Sequence, residues 1–384
     1  MRINKSIEEI NEYSGKIINP LANPEQIYEL YSVPSFENGC PEIIKGKDIG
    51  SSKISIEEGD ILICKINPRI NRVWVVEHTT EYPLVASSEW IVIRNKKINA
   101  NYLKWYFSSP VFRTLLNLEV TGIGGSLTRA QPKQVAKYKV PIPNEKEQNM
   151  IADSLDKIME LITLRQQQLS KLDELVKARF VELFGDPEKN TLGWKEQPLS
   201  EHLSVIGGYA FKSEQFSEEG IPVLRIGNIN SGFFKPVNLV FWEDDDALNR
   251  YKMYPGDLVM SLTGTVGKDD YGNVCILGND YTEYYLNQRN AKLELQDTMN
   301  KYYLSMLLKF EPIKKKLTGI SRGVRQANIS NKDILNLSVP IPPIELQNQF
   351  ATFVKQTDKS KLDVQKSLEQ LETLKKALMQ QYFG

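Results

Sequence analysis

Two stretches of the chain carry apolar residues at alternating steps of four and three, and the segments between them are patterned differently. In the first stretch Ile151, Leu155, Ile158, Ile162, Leu169, Leu172, Val176 and Leu183 fall on one helical face. In the second, Phe350, Val354, Val364, Leu368, Leu371, Leu378 and Tyr382 do the same. Heptad spacing of this kind makes a seam that wants another helix. Arg165, Arg179, Thr357, Lys361 and Lys375 interrupt it, which favours a specific pairing over a maximally tight one. Prolines before each stretch force an extended lead-in, and Gly185 followed by Asp186-Pro187 stops the first. The pattern predicts two helices of roughly 35–40 residues, each ~50–60 Å long and packed on one another.

The two stretches are copies. With a shift of 199 residues and no gap, Val140-Pro141-Ile142-Pro143 falls on Val339-Pro340-Ile341-Pro342, Gln148-Asn149 on Gln347-Asn348, and Phe184-Gly185 on Phe383-Gly384. The segments ahead of each copy correspond more loosely. Gly59-Asp60-Ile61-Leu62-Ile63 matches Gly256-Asp257-Leu258-Val259-Met260, and Thr121-Gly122-Ile123 matches Thr318-Gly319-Ile320. Lys45-Gly46-Lys47-Asp48-Ile49 is echoed by Arg225-Ile226-Gly227-Asn228-Ile229. Both segments show short β-rich runs broken by Gly, Asn and Pro, then a helical stretch at 101–118 or 301–317. The fold class expected is therefore α+β with an internal repeat: a globule at 1–139, a helix at 140–185, a second globule at 186–338 and a second helix at 339–384.

Composition adds mainly exclusions. Hydrophobic residues make up 41% of the 384 and charged residues 25%, as in globular proteins. No apolar run approaches the ~20 residues of a membrane span, and the first residues lack the apolar core of a secretory signal. Cys40, Cys64 and Cys275 are scattered, as are His78 and His202. That argues against a disulfide framework or a metal site and points to the cytoplasm. Net charge is zero, with 18 basic and 15 acidic residues in 1–139 and 18 and 20 in 186–338. Neither globule is a basic clamp, so binding to nucleic acid would need local clusters or a partner's charge.

A search for catalysis finds no site. Gly264-Thr265-Val266-Gly267-Lys268-Asp269 lacks two residues between its glycines and the hydroxyl after lysine that a phosphate loop requires. No glycine fingerprint for a dinucleotide follows a strand. Asn19-Pro20-Leu21 and Asn67-Pro68-Arg69 lack the second proline and the stacking aromatic of an adenine methyltransferase loop. The acidic run at 243–246 reads as a solvated loop. No catalytic residue and no metal ligand is assigned.

Two similar globules in one chain suit a target that repeats along a line, as DNA does; a scaffold holding two proteins would fit the same plan. The doubled Val-Pro-Ile-Pro block, its Gln-Asn and its helix ending in Phe-Gly resemble the conserved central and C-terminal regions of type I restriction specificity subunits. Residues 59–70, 224–232 and 255–267 are similar to that family's first- and second-head patterns. The resemblance covers nearly the whole chain. It implies two β-rich target recognition domains joined by two long antiparallel helices, a coiled-coil rod. Each domain would read half of an asymmetric bipartite site in double-stranded DNA, while the rod sets the spacer and docks two modification subunits. S-adenosylmethionine, ATP and magnesium would belong to the partners, the methyltransferase subunits and the translocating restriction subunits, with no cofactor in this chain. A related system without ATP-driven translocation is equally consistent with the chain.

Base edges are read by Arg, Lys, Asn and Gln, and phosphates by Arg, Lys, hydroxyls and amides. In the first globule Lys65, Asn67, Arg69 and Arg72 cluster beyond the Gly59-Asp60 strand, with Ser88, beside Ser87, and Arg129 as further candidates. In the second, Arg225, Asn228 and Asn230 suit base or backbone contact, and Thr263, Thr265 and Lys268 suit phosphates. Asn287, Gln288, Arg289, Arg322 and Arg325 complete the set. Lys314-Lys315-Lys316 reads as a solvated helix face, and the five tryptophans read as core.

Overall fold

Both predicted helices form, as Glu145–Phe184 and Ile344–Phe383, each of 40 residues. This computed structural model describes residues 2–118, 120, 121, 128–319 and 326–384. It divides into two units, and each helix contributes to both. The first unit holds Met1–Gln167 and Gln365–Gly384, and the second holds Gln168–Val364.

Within the first unit Ile151 and Leu155 share a core with Met379 and Phe383. Within the second, Val176, Phe180 and Phe184 share one with Phe350. In each unit the beginning of one helix lies beside the end of the other, so the pairing is antiparallel. Ile158, Ile162, Val364 and Leu368 are also buried, while Leu169, Leu172, Val354, Leu371 and Leu378 are half-buried. Most residues that break the heptad have partners of their own. Lys361 reaches Asp173 at 2.6 Å, Arg179 lies 5.9 Å from the Phe353 ring centre, and Lys375 lies 5.7 Å from that of Trp105. Thr357 is buried within the seam, and its hydroxyl donates to the Phe353 carbonyl at 3.0 Å, the local back-bond by which threonine is satisfied inside a helix.

The repeated residues bracket each helix to a globule. Gln148 Oε1 accepts from the Asn99 amide at 2.9 Å while its Nε2 donates to the Pro143 carbonyl at 2.9 Å. Gln347 does the same with Asn300 and Pro342, both at 2.8 Å. The following asparagines, Asn149 and Asn348, accept from the side chains of Asn99 and Asn300. Those two cap the helices Ala100–Phe107 and Lys301–Leu307. The hydroxyls of Tyr102 and Tyr303 donate to the carbonyls of Pro141 and Pro340. The terminal phenylalanines then close the brackets: Phe383 meets the Tyr102 ring at 5.8 Å and Phe184 meets Tyr303 at 4.8 Å. The repeat is thus an anchoring device.

Each globule contains a sheet with one parallel strand pair. In the first unit its order is Ile17–Ile18, Lys53–Ser55, Leu84–Ala86, Ile27–Tyr31, Glu42–Lys45, with Leu84–Ala86 and Ile27–Tyr31 parallel. In the second, Ile221–Leu224 runs parallel to Tyr284–Leu286, flanked by Phe241–Trp242 and Lys252–Met253. A second sheet centres on Ile61–Cys64 beside Trp90–Ile93 in one unit and on Leu258–Ser261 beside Asn290–Leu295 in the other. The Gly-Asp motif opens these central strands for a structural reason. Gly59 and Gly256 sit at φ +84° and +88°, where glycine is favoured. Asp60 and Asp257 accept from the amides of Glu57 and Tyr254, at 2.8 and 2.9 Å. They also pair with a cation, Arg94 just past the end of the neighbouring strand or Lys292 within it.

Two expectations are corrected. Lys45–Ile49 and Arg225–Ile229 are not equivalent: the first follows an antiparallel edge strand, Glu42–Lys45. Arg225 instead follows a parallel strand, as Ser32 does. Lys314 is not solvated. It is buried and ion-paired with Asp269, and donates to Asn273 at 2.6 Å, whereas Lys315 and Lys316 are exposed. Trp90 and Trp105 are buried, and Trp74, Trp194 and Trp242 are half-buried.

His202 makes stability pH-dependent. It is buried, with Nδ1 2.8 Å from the Thr298 hydroxyl, and burial pushes its pKa below the ordinary value. The unfolded chain therefore binds a proton, near pH ~6.5, that the folded chain resists. His202 contributes stability above that pH, and the contribution is lost as pH falls through the folded pKa. Acidification from pH 7.5 to 5.5 should lower the melting temperature of the native chain more than that of His202→Gln. Equal slopes would contradict this; His78 is present in both proteins and cancels in the comparison.

Candidate nucleic-acid interface

Where each central strand ends, three segments meet, and the backbone bonds are the same in both units. In the first, the Lys65 amide donates to the Glu89 carbonyl at 3.0 Å, and the Lys65 carbonyl accepts from the Ala130 amide at 2.8 Å. In the second, the Leu262 amide donates to the Arg289 carbonyl at 2.8 Å, and its carbonyl accepts from the Ile329 amide at 2.9 Å. The chain beyond the strand is thus gripped between a turn on one side and, on the other, the segment at Arg129–Ala130 or at 326–329. These junctions collect most of the candidate side chains.

In the first unit Lys65, Asn67, Ser88 and Arg129 converge. Asn67 turns the chain at φ +46°, its amide donating to the Thr128 carbonyl at 2.8 Å, a left-handed conformation that asparagine tolerates. Ser88 and Arg69 are exposed. Arg129, 55% exposed, reaches Glu89 at 3.4 Å. Arg72 is held apart from them: its side chain is 12% exposed and its Nε donates to Glu37 at 2.7 Å.

In the second unit Arg225, Asn228, Asn287, Gln288 and Arg289 line one cavity of about 480 Å³, with Phe211 and Phe216 among the other lining residues. Gln288 and Arg289 are exposed at its edge. Arg225 is half-buried, and its guanidinium donates to the Asn238 carbonyl. Asn228 is buried as the bracket of a short turn: it accepts from the Arg225 amide at 2.9 Å and donates to the carbonyls of Lys235 and Val237. Asn230 donates to the Asp270 carbonyl at 2.7 Å. Thr263–Thr265 pairs with Gln326–Asn328. The hairpin beyond it is closed by Asp270, which accepts from the Thr265 amide at 2.7 Å. That bond holds the Asp270 carboxyl below the usual range and occupies the amide with a carboxylate. Lys268 is exposed. Arg322 and Arg325 lie outside the described residues.

Glu89, Phe211 and Phe216 belong to these surroundings and carried no signal of their own in the sequence. Glu89 becomes visible only when its turn is matched to that of Arg289. The phenylalanines reach the cavity from the loop that precedes the Ile221–Leu224 strand. Chemically, the junctions offer guanidinium, ammonium, amide and hydroxyl groups, the repertoire that reads base edges and phosphates. Among the described residues no group of three or more His, Cys, Asp or Glu could hold a metal ion, and no helix is long and apolar enough to cross a membrane.

Comparison with known proteins agrees with the doubled plan. The solved structures that this chain resembles include the S subunit of a type I restriction–modification system from M. genitalium, with a TM-score of 0.54 at 15% identity, covering 99% of this chain and 95% of that one. A chain from a structure described as the basis of complex assembly and conformational transition of the type I R-M system gives 0.60 at 18% identity, covering 100% and 97%. At these identities the likeness establishes the fold alone. In sequence, the chain is 26% identical over 354 residues to the type I restriction enzyme MjaVIII specificity subunit of Methanocaldococcus jannaschii, covering 86% of this chain and 80% of that protein. It is 22% identical over 286 residues to the EcoKI specificity subunit of Escherichia coli K12, covering 69% and 60%. Residues 4–174 and 192–374 each match the family described as the type I restriction modification DNA specificity domain. With that domain present twice and spanning most of its length, the chain belongs to the type I restriction–modification DNA specificity family.

Proposed function

We propose that this chain selects the DNA sequence on which a type I restriction–modification complex acts, each unit reading one half of a split, asymmetric site. The observation that carries this reading is the junction built twice on one backbone plan with different side chains: Lys65, Ser88, Glu89 and Arg129 in one unit, Leu262, Gln288, Arg289 and Asn328 in the other. Identical scaffolds with unlike readers recognise unlike sequences, and a site read by two of them in one chain is asymmetric. The chain acts by binding alone. Methyl transfer from S-adenosylmethionine falls to two modification subunits, and ATP-driven translocation with cleavage to restriction subunits.

The helices act as spacer and as docking face. Met150, Leu161 and Leu164 are exposed in the first unit. Their spacing of three turns and then three residues puts them on one side of the central helix, away from its buried seam. A stripe of this kind suits a modification subunit. Near-neutral globules are compatible with DNA binding when the partner encloses the duplex and supplies positive charge.

Selection of randomised duplexes by the chain reconstituted with its modification subunit tests the reading. The native complex should enrich a split site. Arg225→Ala should weaken selection of one half by about 1–3 kcal/mol and leave the other unchanged. Equal loss in both halves would contradict two independent readers.

A further inference from the structure

The turn beside each junction is the same turn in both units. It leaves a strand of the parallel pair, at Ala86 or Leu286. It closes with an amide-to-carbonyl bond from Trp90 to Ser87, or from Asn290 to Asn287, at 3.3 and 2.9 Å. Inside it, Ser87 Oγ accepts from the Glu89 amide at 3.4 Å, and Asn287 Oδ1 accepts from the Arg289 amide at 3.2 Å. Side chains of Ser and Asn stabilise such turns by this local bond. The apex residues are therefore Ser88-Glu89 in one unit and Gln288-Arg289 in the other, equivalent in backbone and different in chemistry.

The neighbouring strand differs in a complementary way. Arg129 faces Ile66 as Asn328 faces Thr263. In the first unit a carboxylate stands on the turn and a guanidinium on the strand, and Glu89 holds Arg129. In the second unit the guanidinium stands on the turn, at Arg289, and an amide stands on the strand. The exposed arginines Arg129 and Arg289 are thus delivered from opposite sides of the gripped segment.

We infer that this four-residue turn is the specificity-determining element common to both units, its two apex residues setting the base choice of one or two pairs in each half-site. The inference rests on the half-site reading above. In the second unit Arg289 donates bidentately to guanine O6 and N7, and Gln288 pairs with adenine N6 and N7. In the first unit Ser88 leaves room at the apex, and Glu89 is a positioning residue that fixes Arg129 for the same kind of guanine contact.

An exchange of apexes tests this. One variant carries Ser88→Gln with Glu89→Arg; the other carries Gln288→Ser with Arg289→Glu. Each is expressed with the modification subunit, and the methylated motif is read by long-read sequencing beside the native chain. The native motif tests the underlying reading by itself, since without a split motif the exchange is not reached. Given that motif, each variant should change base preference about tenfold or more at one or two positions of a single half, a different half for each variant. An unchanged motif in both variants, or both halves altered by one, would overturn the inference. Arg289→Lys guards against misfolding, because it keeps an exposed charge but loses the bidentate fork. It should relax one position of the half altered by the Gln288/Arg289 exchange, and an unchanged motif there would count equally against the proposal.

Discussion

Replacing Phe180 with alanine should destabilise the second unit by about 3–5 kcal/mol. Phe180 is fully buried where the central helix meets the globule. Its ring lies 4.8 Å from Phe184, 5.0 Å from Phe310, and 5.4 Å from both Tyr303 and Phe350. Truncation removes the transfer energy of the ring, the aromatic contacts and the support of four neighbours, and leaves a cavity that two helices and a globule cannot easily collapse. Amide exchange in Leu258–Ser261 and Asn290–Leu295 should accelerate by about two to three orders of magnitude, while Ile61–Cys64 in the first unit keeps its protection. A loss below about 1 kcal/mol would show that the ring cluster does not hold the helix to the globule.

Asp60→Ala should cost the first unit about 3–5 kcal/mol, because it strands a charge. Asp60 is 1% exposed and accepts from Arg94 Nε and Nη2, both at 2.7 Å. Arg94, itself 15% exposed, would keep Glu57 as its carboxylate partner, 57% exposed, and the Tyr13 ring at 5.3 Å, and the Glu57 amide would lose its acceptor. Asp60→Asn should cost less, because it keeps the shape and one acceptor. Asp257→Ala in the second unit should also cost less, since Lys292 and Asp257 are 16% and 23% exposed and water can replace part of the pair. Denaturant titration of the three variants would order them; an Asp60→Ala loss no larger than that of Asp257→Ala would contradict the account.

The helical half of the fold was legible in the sequence because its signals are local. Heptad spacing, proline lead-ins and Phe-Gly ends lie within 47-residue copies that align without a gap. Phe180 escaped the predicted seam because at that point the helix packs on the globule, through Tyr303 and Phe310, as well as on Phe350 of its partner helix. The Gly-Asp motif was visible as a repeat, but its role depends on cations a strand away, Arg94 and Lys292. The junctions were only partly legible. Residue type nominated Gln288 and Arg289, and nothing local marked Glu89, whose equivalence to Arg289 follows from backbone bonds alone. Short similar words also misled: Lys45–Ile49 and Arg225–Ile229 look alike yet follow different strands of the sheet. Side-chain type could not reveal that Asn228 and Arg72 are engaged within the fold.

On the proposed function, this chain is the sole source of sequence choice in its complex, through two readers of unlike chemistry. Long-read methylome sequencing of a host carrying the modification subunit, with and without the chain, tests that claim most directly. A split, asymmetric methylated motif that appears only when the chain is present is the predicted result. A motif that persists without the chain, or no new motif despite a stable and active complex, would contradict it.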